Sequence, residues 1–187
     1  GGDEKRVASP IDLAGNADEM LYSNAPCISP GAEFQGWHVL FDNNLETVFH
    51  SEFDASKGSA DGLHHYIRVD MGEGNGIDKF AFTYATSSTV YPTRMIVEGS
   101  NVADGVYDEI VCLADLPTAE AVYCSDTLGN GNRYRYIRFR VVETQDNYPY
   151  GRPFFIIAEL GMTEYALKFP VAPDKVPDED IVINALY

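Results

Sequence analysis

Residues 134–142, YRYIRFRVV, alternate strictly, with Ile137, Phe139 and Val141 on one face and Arg138 and Arg140 on the other. A period of two suits a half-buried strand and no helix, because successive side chains leave a strand on opposite faces. The rhythm recurs in Ile67, Val69 and Met71, in Phe80, Phe82 and Tyr84, and in Met95 and Val97 set against Ile96. A short strand is predicted within 107–116 and a last one over 153–165. Turn-rich GEGNG (72–76), NVADG (101–105) and LGNGN (128–132) separate them. No helix of ordinary length with a 3.6-residue stripe is predicted after residue 25. Many short strands parted by turns predict an all-β fold of sandwich type.

The remaining segments set the expected limits of the domain. Residues 1–12 are polar and are expected to be loosely ordered. Residues 17–22, ADEMLY, fit either a turn of helix or a first strand. The expected organisation is an N-terminal extension (1–16), one β-sandwich (17–165) and a C-terminal tail or linker (166–187) leading towards another module or packing back on the sandwich. The GGDEKR start is consistent with a leader removed upstream.

Charge excludes some partners. The formal net charge of −16 argues against nucleic acid, which calls for a basic stripe, and against an anionic membrane surface. No 18-residue apolar run is present, so no transmembrane segment is predicted. Three cysteines make no disulfide framework. Cys112 and Cys124 either face each other across two strands or are buried free thiols. A chain of 187 residues buries a sizeable core without such staples.

The densest chemistry lies in residues 42–53, DNNLETVFHSEF. Asp42, Asn44 and Thr47 offer hard oxygen donors at close spacing, Phe49 can plug the loop into a core, and His50 and Phe53 follow. The segment opens like an EF-hand loop and fails as one. Its sixth position is Thr47 where the sharp turn needs Gly, and its twelfth is Phe53 where a bidentate Glu belongs. A cation held here needs a ligand from elsewhere. Neighbouring His64 and His65 point to opposite faces of a strand and cannot easily share a metal. No GxSxG, no GxxxxGK[ST] and no HExxH occurs, so no enzyme is predicted.

The order of features resembles the F5/8 type C (discoidin) family, galactose-binding-like jelly rolls that include the family 32 carbohydrate-binding modules. The carrying residues are Asp42-Asn43-Asn44-Leu45-Glu46-Thr47-Val48-Phe49-His50-Ser51, then YIRVDMGE, Val97-Glu98-Gly99-Ser100 with Asp104-Gly105, Tyr136-Ile137-Arg138-Phe139, and Ile157-Ala158-Glu159-Leu160. The resemblance covers roughly residues 20–165. It implies a jelly-roll β-sandwich with a structural Ca²⁺. The ion would be held by the side chains of Asp42, Thr47 and Glu159 and the carbonyls of Val39, Asn44 and Ala158. Such a mixed oxygen set suits calcium.

The resemblance also implies a sugar site. Glu33 and His50 occupy matching places, and Phe53 stands for the aromatic platform. The family's Arg is absent: the matching position is near Thr86, within Tyr-Ala-Thr-Ser-Ser-Thr, and the following Asn is missing too. Tyr91 and the YPYGRP loop, with Tyr148, Tyr150 and Arg152, are the substitute candidates, since rigid amphipathic rings give contact area at low entropy cost. The implied function is a non-catalytic module of a secreted or cell-surface bacterial protein that binds a glycan or glycoconjugate. The alternative on the same scaffold is a protein-interaction or adhesion module with a protein partner or a linked neighbouring domain.

Overall fold

The computed structural model describes residues 5–28, 33–54, 56–145 and 153–167. Two antiparallel sheets face each other. One has the order β2-β4-β9-β6-β7, built from Leu21–Ser23, Tyr66–Asp70, Tyr136–Thr144, Pro92–Ser100 and Asp108–Leu113. The other has the order β1-β11-β5-β8, built from Arg6–Pro10, Glu159–Leu167, Phe80–Ala85 and Val122–Cys124. A two-stranded ribbon, β3 (Phe49–His50) with β10 (Ile156–Ile157), sits at one end. This is the all-β sandwich that the period-two pattern predicted.

The inward faces are the apolar ones. Ile67, Val69, Met95, Val97, Ile137, Phe139 and Val141 come from the first sheet, and Phe80, Phe82, Tyr84, Leu160 and Met162 from the second. Phe82 and Phe139 meet across the layers with ring centroids 4.5 Å apart. Phe49 is fully buried and stacks on Trp37 at 5.4 Å, so the plug expected of that loop is in place. Trp37 belongs to a 3₁₀ turn, Trp37–Phe41, that leads directly into Asp42.

Expectations for the N-terminal stretch, the last strand and the Cys112–Cys124 pair need correction, and the open one for residues 17–22 is resolved. Within residues 5–12 the chain is not loose: Arg6–Pro10 forms β1, paired with β11 from Arg6↔Leu167 to Pro10↔Thr163. Arg6 also bonds the Asp78 carboxylate and the Tyr165 carbonyl, which anchors that edge. Residues 17–22 hold both candidate structures, a short helix α1 (Ala17–Met20) and then β2. The last strand is two: β10 pairs with β3 and β11 with β5, and the chain changes partner at Ala158. Cys112 and Cys124 lie in β7 and β8, edge strands of different sheets, and both are free and exposed, whereas Cys27 is free and buried. Among the described residues, no helix is long and apolar enough to cross a membrane.

Candidate functional site

The 42–47 loop is shaped by its own side chains. Asn43 adopts a left-handed φ of 55°, a conformation that Asn tolerates well. Asn44 N–H donates to Asp42 Oδ1 (3.0 Å), and Glu46 N–H donates to Asn44 Oδ1 (2.9 Å). The Thr47 hydroxyl donates to the Asp42 carboxylate, and its oxygen lies 3.1 Å from the Asn44 carbonyl. Glu159, first residue of β11, reaches the same loop and engages Asp42 and the backbone of Asn43 and Asn44.

Two carboxyl groups therefore meet here, and their proton affinities diverge. The Thr47 hydroxyl bond is the main cause holding Asp42 below the usual carboxylate range. Burial pushes Glu159 up, and the adjacent Asp42 adds to the rise. Glu159 Oε2 is buried without a hydrogen-bond partner. An orphaned carboxylate oxygen beside a second carboxylate, a hydroxyl and a carbonyl fits a hard cation. Val39 is buried in the 3₁₀ turn that runs into Asp42, and Ala158 is buried immediately before Glu159 in the chain. Among the described residues no group of three or more His, Cys, Asp or Glu could hold a metal, so any ion here depends on neutral oxygens as well.

The same loop forms one wall of an open cleft of about 580 Å³ lined by Glu33, Leu45, Glu46, Val48, Ser87, Ser88, Glu120 and Ile156. Beside it lies an aromatic cluster. His50 stacks on Phe154 (5.2 Å, 13°) and meets Phe53 edge-on (5.5 Å). The pairing Ile156↔His50 joins the two regions. Directly opposed residues of an antiparallel ribbon leave on one face about 5 Å apart, so His50 stands beside a residue of the cleft wall. His50 Nδ1 lies 2.7 Å from the Ser51 carbonyl and must carry a proton to bond it.

Ser51 holds this ribbon in place. Its Oγ accepts from Phe155 N–H and contacts His65 Nδ1, both at 2.9 Å, at a position with no solvent exposure. Ser51→Ala is expected to cost about 2–3 kcal/mol, because it strands a buried amide and a buried imidazole nitrogen. Urea unfolding reads the loss, and a change below about 0.5 kcal/mol would show that the network is dispensable.

The structure thus brings together Asp42, Asn44, Thr47 and Glu159, and separately His50 and Phe53. Glu33 reaches the cleft, while Tyr91 is partly buried and does not line it. Tyr148, Tyr150 and Arg152 lie outside the described residues. The sequence reading missed Glu46, Ser87, Ser88, Glu120 and Phe154. Phe154 sits in a small apolar cluster with Val48, Val90, Ile156 and Ala158. Its signal was present in the FFII run, read there only as core strand. Thr86, where the resemblance places an Arg, is buried and its hydroxyl donates to the Thr118 carbonyl (3.0 Å).

No family model and no curated protein matches the sequence. Solved structures do match. The family 32 carbohydrate-binding module of Clostridium perfringens NanJ, solved with galactose, aligns with a TM-score of 0.56 at 17% identity, over 84% of this chain and 100% of that one. A further family 32 module of C. perfringens, from GH89 and solved with GalNAc-β-1,3-galactose, gives 0.58 at 15% over 82% and 99%. The family 62 module of Clostridium thermocellum Xyl5A gives 0.55 at 17% over 78% and 94%. At this identity the likeness speaks for architecture, and the chain has the galactose-binding-like β-sandwich fold of these modules.

Proposed function

We propose that the chain is a non-catalytic carbohydrate-binding module of a secreted or cell-surface protein. It holds a glycan or glycoconjugate in the cleft beside the aromatic cluster and carries a structural calcium ion at Asp42, Thr47 and Glu159. The observation that carries the sugar reading is the adjacency of an open polar cleft to an aromatic cluster. His50 stands beside the cleft wall, paired with Ile156, and Phe53 remains 48% exposed. Sugars present hydroxyls at their edges and C–H faces to rings, and this combination of groups meets both. The solved relatives with galactose and GalNAc-β-1,3-galactose bound support the same reading.

For calcium, the support is a buried, unpartnered oxygen on the Glu159 carboxyl, the group that also engages Asp42. The Val39, Asn44 and Ala158 carbonyls would complete the shell. The ion would pin the 42–47 loop, and with it the cleft wall, to β11.

A glycan array followed by calorimetry tests the sugar site. Phe53→Ala is expected to weaken the best ligand about tenfold while moving stability by no more than about 0.5 kcal/mol, since the ring is half exposed. No array signal, or a Phe53→Ala protein that binds unchanged, would overturn the assignment. The adhesion-module reading draws on the absent Arg at Thr86. A protein captured on the array's matrix with no glycan bound would favour it instead.

A further inference from the structure

Resting on that reading of the cleft and of the ion, we infer that the cation site governs glycan binding: calcium at Asp42, Thr47 and Glu159 sets the shape of the cleft, and the two ligands raise each other's affinity. Both sites are built on the same segments. In the 42–48 loop, Asp42, Asn44 and Thr47 turn oxygens towards one another, while Leu45, Glu46 and Val48 line the cleft. In the 156–159 stretch, Ile156 lines the cleft just ahead of Ala158 and Glu159. Over so few residues, a shift at one site is a shift at the other.

The 156–159 stretch also carries much of the remaining wall. Ile156 N–H donates to the Val90 carbonyl (3.0 Å) and Ala158 N–H to the Ala85 carbonyl (2.8 Å), so the segment bearing Ser87 and Ser88 hangs between these bonds. Thr86, within it, holds the turn of Glu120: its N–H donates to the Ala121 carbonyl (2.9 Å) and its Oγ1 to the Thr118 carbonyl (3.0 Å). Val48 and Ile156, both in the cleft, pack with Val90, Phe154 and Ala158 as one small apolar cluster, which ends beside Glu159. The 42–47 loop is the less anchored side. The hydrogen bonds among Asp42, Asn44, Glu46 and Thr47 are local and exposed, and Leu45 is 48% exposed. The loop meets β11 through the Glu159 carboxyl, which is set against that of Asp42. Two ionised carboxylates in contact repel, and a divalent cation shared by them turns that contact into an attraction. The buried Glu159 Oε2 without a hydrogen-bond partner is the oxygen such an ion would satisfy. A loop already fixed on β11 presents Leu45, Glu46 and Val48 to a glycan at no further ordering cost, which is the source of the coupling.

The test is calorimetry of the full chain with the tightest-binding oligosaccharide of the glycan array, in calcium and after chelation, well below the melting temperature. Chelation is expected to weaken the oligosaccharide about tenfold, and added calcium to restore it. Saturating oligosaccharide should tighten calcium by the same factor, because coupling between two sites is reciprocal. Glu159→Gln should bind the oligosaccharide with the chelated parent's affinity, with or without calcium, and its melting curve reports that it is folded. Affinity unchanged by chelation, in a protein whose melting temperature responds to calcium, overturns the inference and leaves the carbohydrate-binding and calcium readings standing. A Glu159→Gln protein that binds as tightly as the calcium-loaded parent does the same. A melting temperature indifferent to calcium removes the ion and this inference with it, and leaves the glycan reading to the array. Absence of binding to every glycan in calcium refutes the carbohydrate-binding reading and the inference together.

Discussion

Glu98→Ala is expected to lower folding stability by about 3–5 kcal/mol, the cost of leaving a buried charge without its partner. Glu98 is only 4% exposed and bonds Arg138 Nε (2.9 Å) and Arg140 Nε (2.6 Å) at once. Arg138 is itself buried, held under the Tyr107 ring at 3.7 Å with Tyr66 at 4.9 Å. The pairing of β4 with β9 sets Arg68 directly opposite Arg138, an arrangement of like charges that is destabilising alone. One carboxylate thus neutralises a row of guanidinium groups on the outer face of the five-stranded sheet. Alanine leaves Arg138 and Arg140 with no anion and leaves Arg138 facing Arg68. Glu98→Gln keeps the shape and loses the charge, so a smaller loss is expected. Urea unfolding with an unchanged m-value reads both. A loss below about 1 kcal/mol for Glu98→Ala would show that water reaches these groups in spite of the tyrosine cover.

That outer face also shows where sequence reasoning stops. Arg138 and Arg140 were assigned to the outward side of their strand, and they are on it. The burial of Arg138 comes from Tyr107 and Tyr66, on other segments of the chain, which no periodicity reports. The strands themselves were readable because alternation is a local consequence of having one wet and one dry face. Arg6–Pro10 escaped because its pattern carries no such alternation: it is an edge strand held mainly by backbone bonds to β11. The break at Ala158 escaped because Phe154 to Ala158 is apolar on both sides, and a strand that changes sheets looks continuous there. In the candidate site, Asp42 and Glu159 were found through a resemblance in feature order. Glu46, Ser87, Ser88 and Glu120 converge from three loops whose only shared property is position at one end of the sandwich.

Calcium is expected to raise stability by about 2.7 kcal/mol at a hundredfold excess over its dissociation constant, and Glu159→Gln is expected to abolish that response. The direction without calcium is the informative part. Burial and the adjacent Asp42 raise the Glu159 carboxyl above its ordinary value. A carboxyl raised on folding contributes stability that is fully present below the unfolded pKa and lost as pH rises through the folded one. The calcium-stripped protein should therefore lose this contribution on going from acid to neutral pH, as the second carboxylate ionises beside Asp42. Glu159→Gln removes that loss, since a neutral amide can donate to Asp42, so the stripped variant should be at least as stable as the stripped parent at neutral pH. With calcium the order reverses: the parent gains and the variant does not. The gain should fall on acidification, because protons compete with the ion for the same oxygens. Melting curves with calcium and with chelator, across about pH 4.5–7.5 for both proteins, contain all four comparisons. A parent indifferent to chelator, together with a destabilised Glu159→Gln, would make Glu159 an ordinary structural residue and remove the cation from the site.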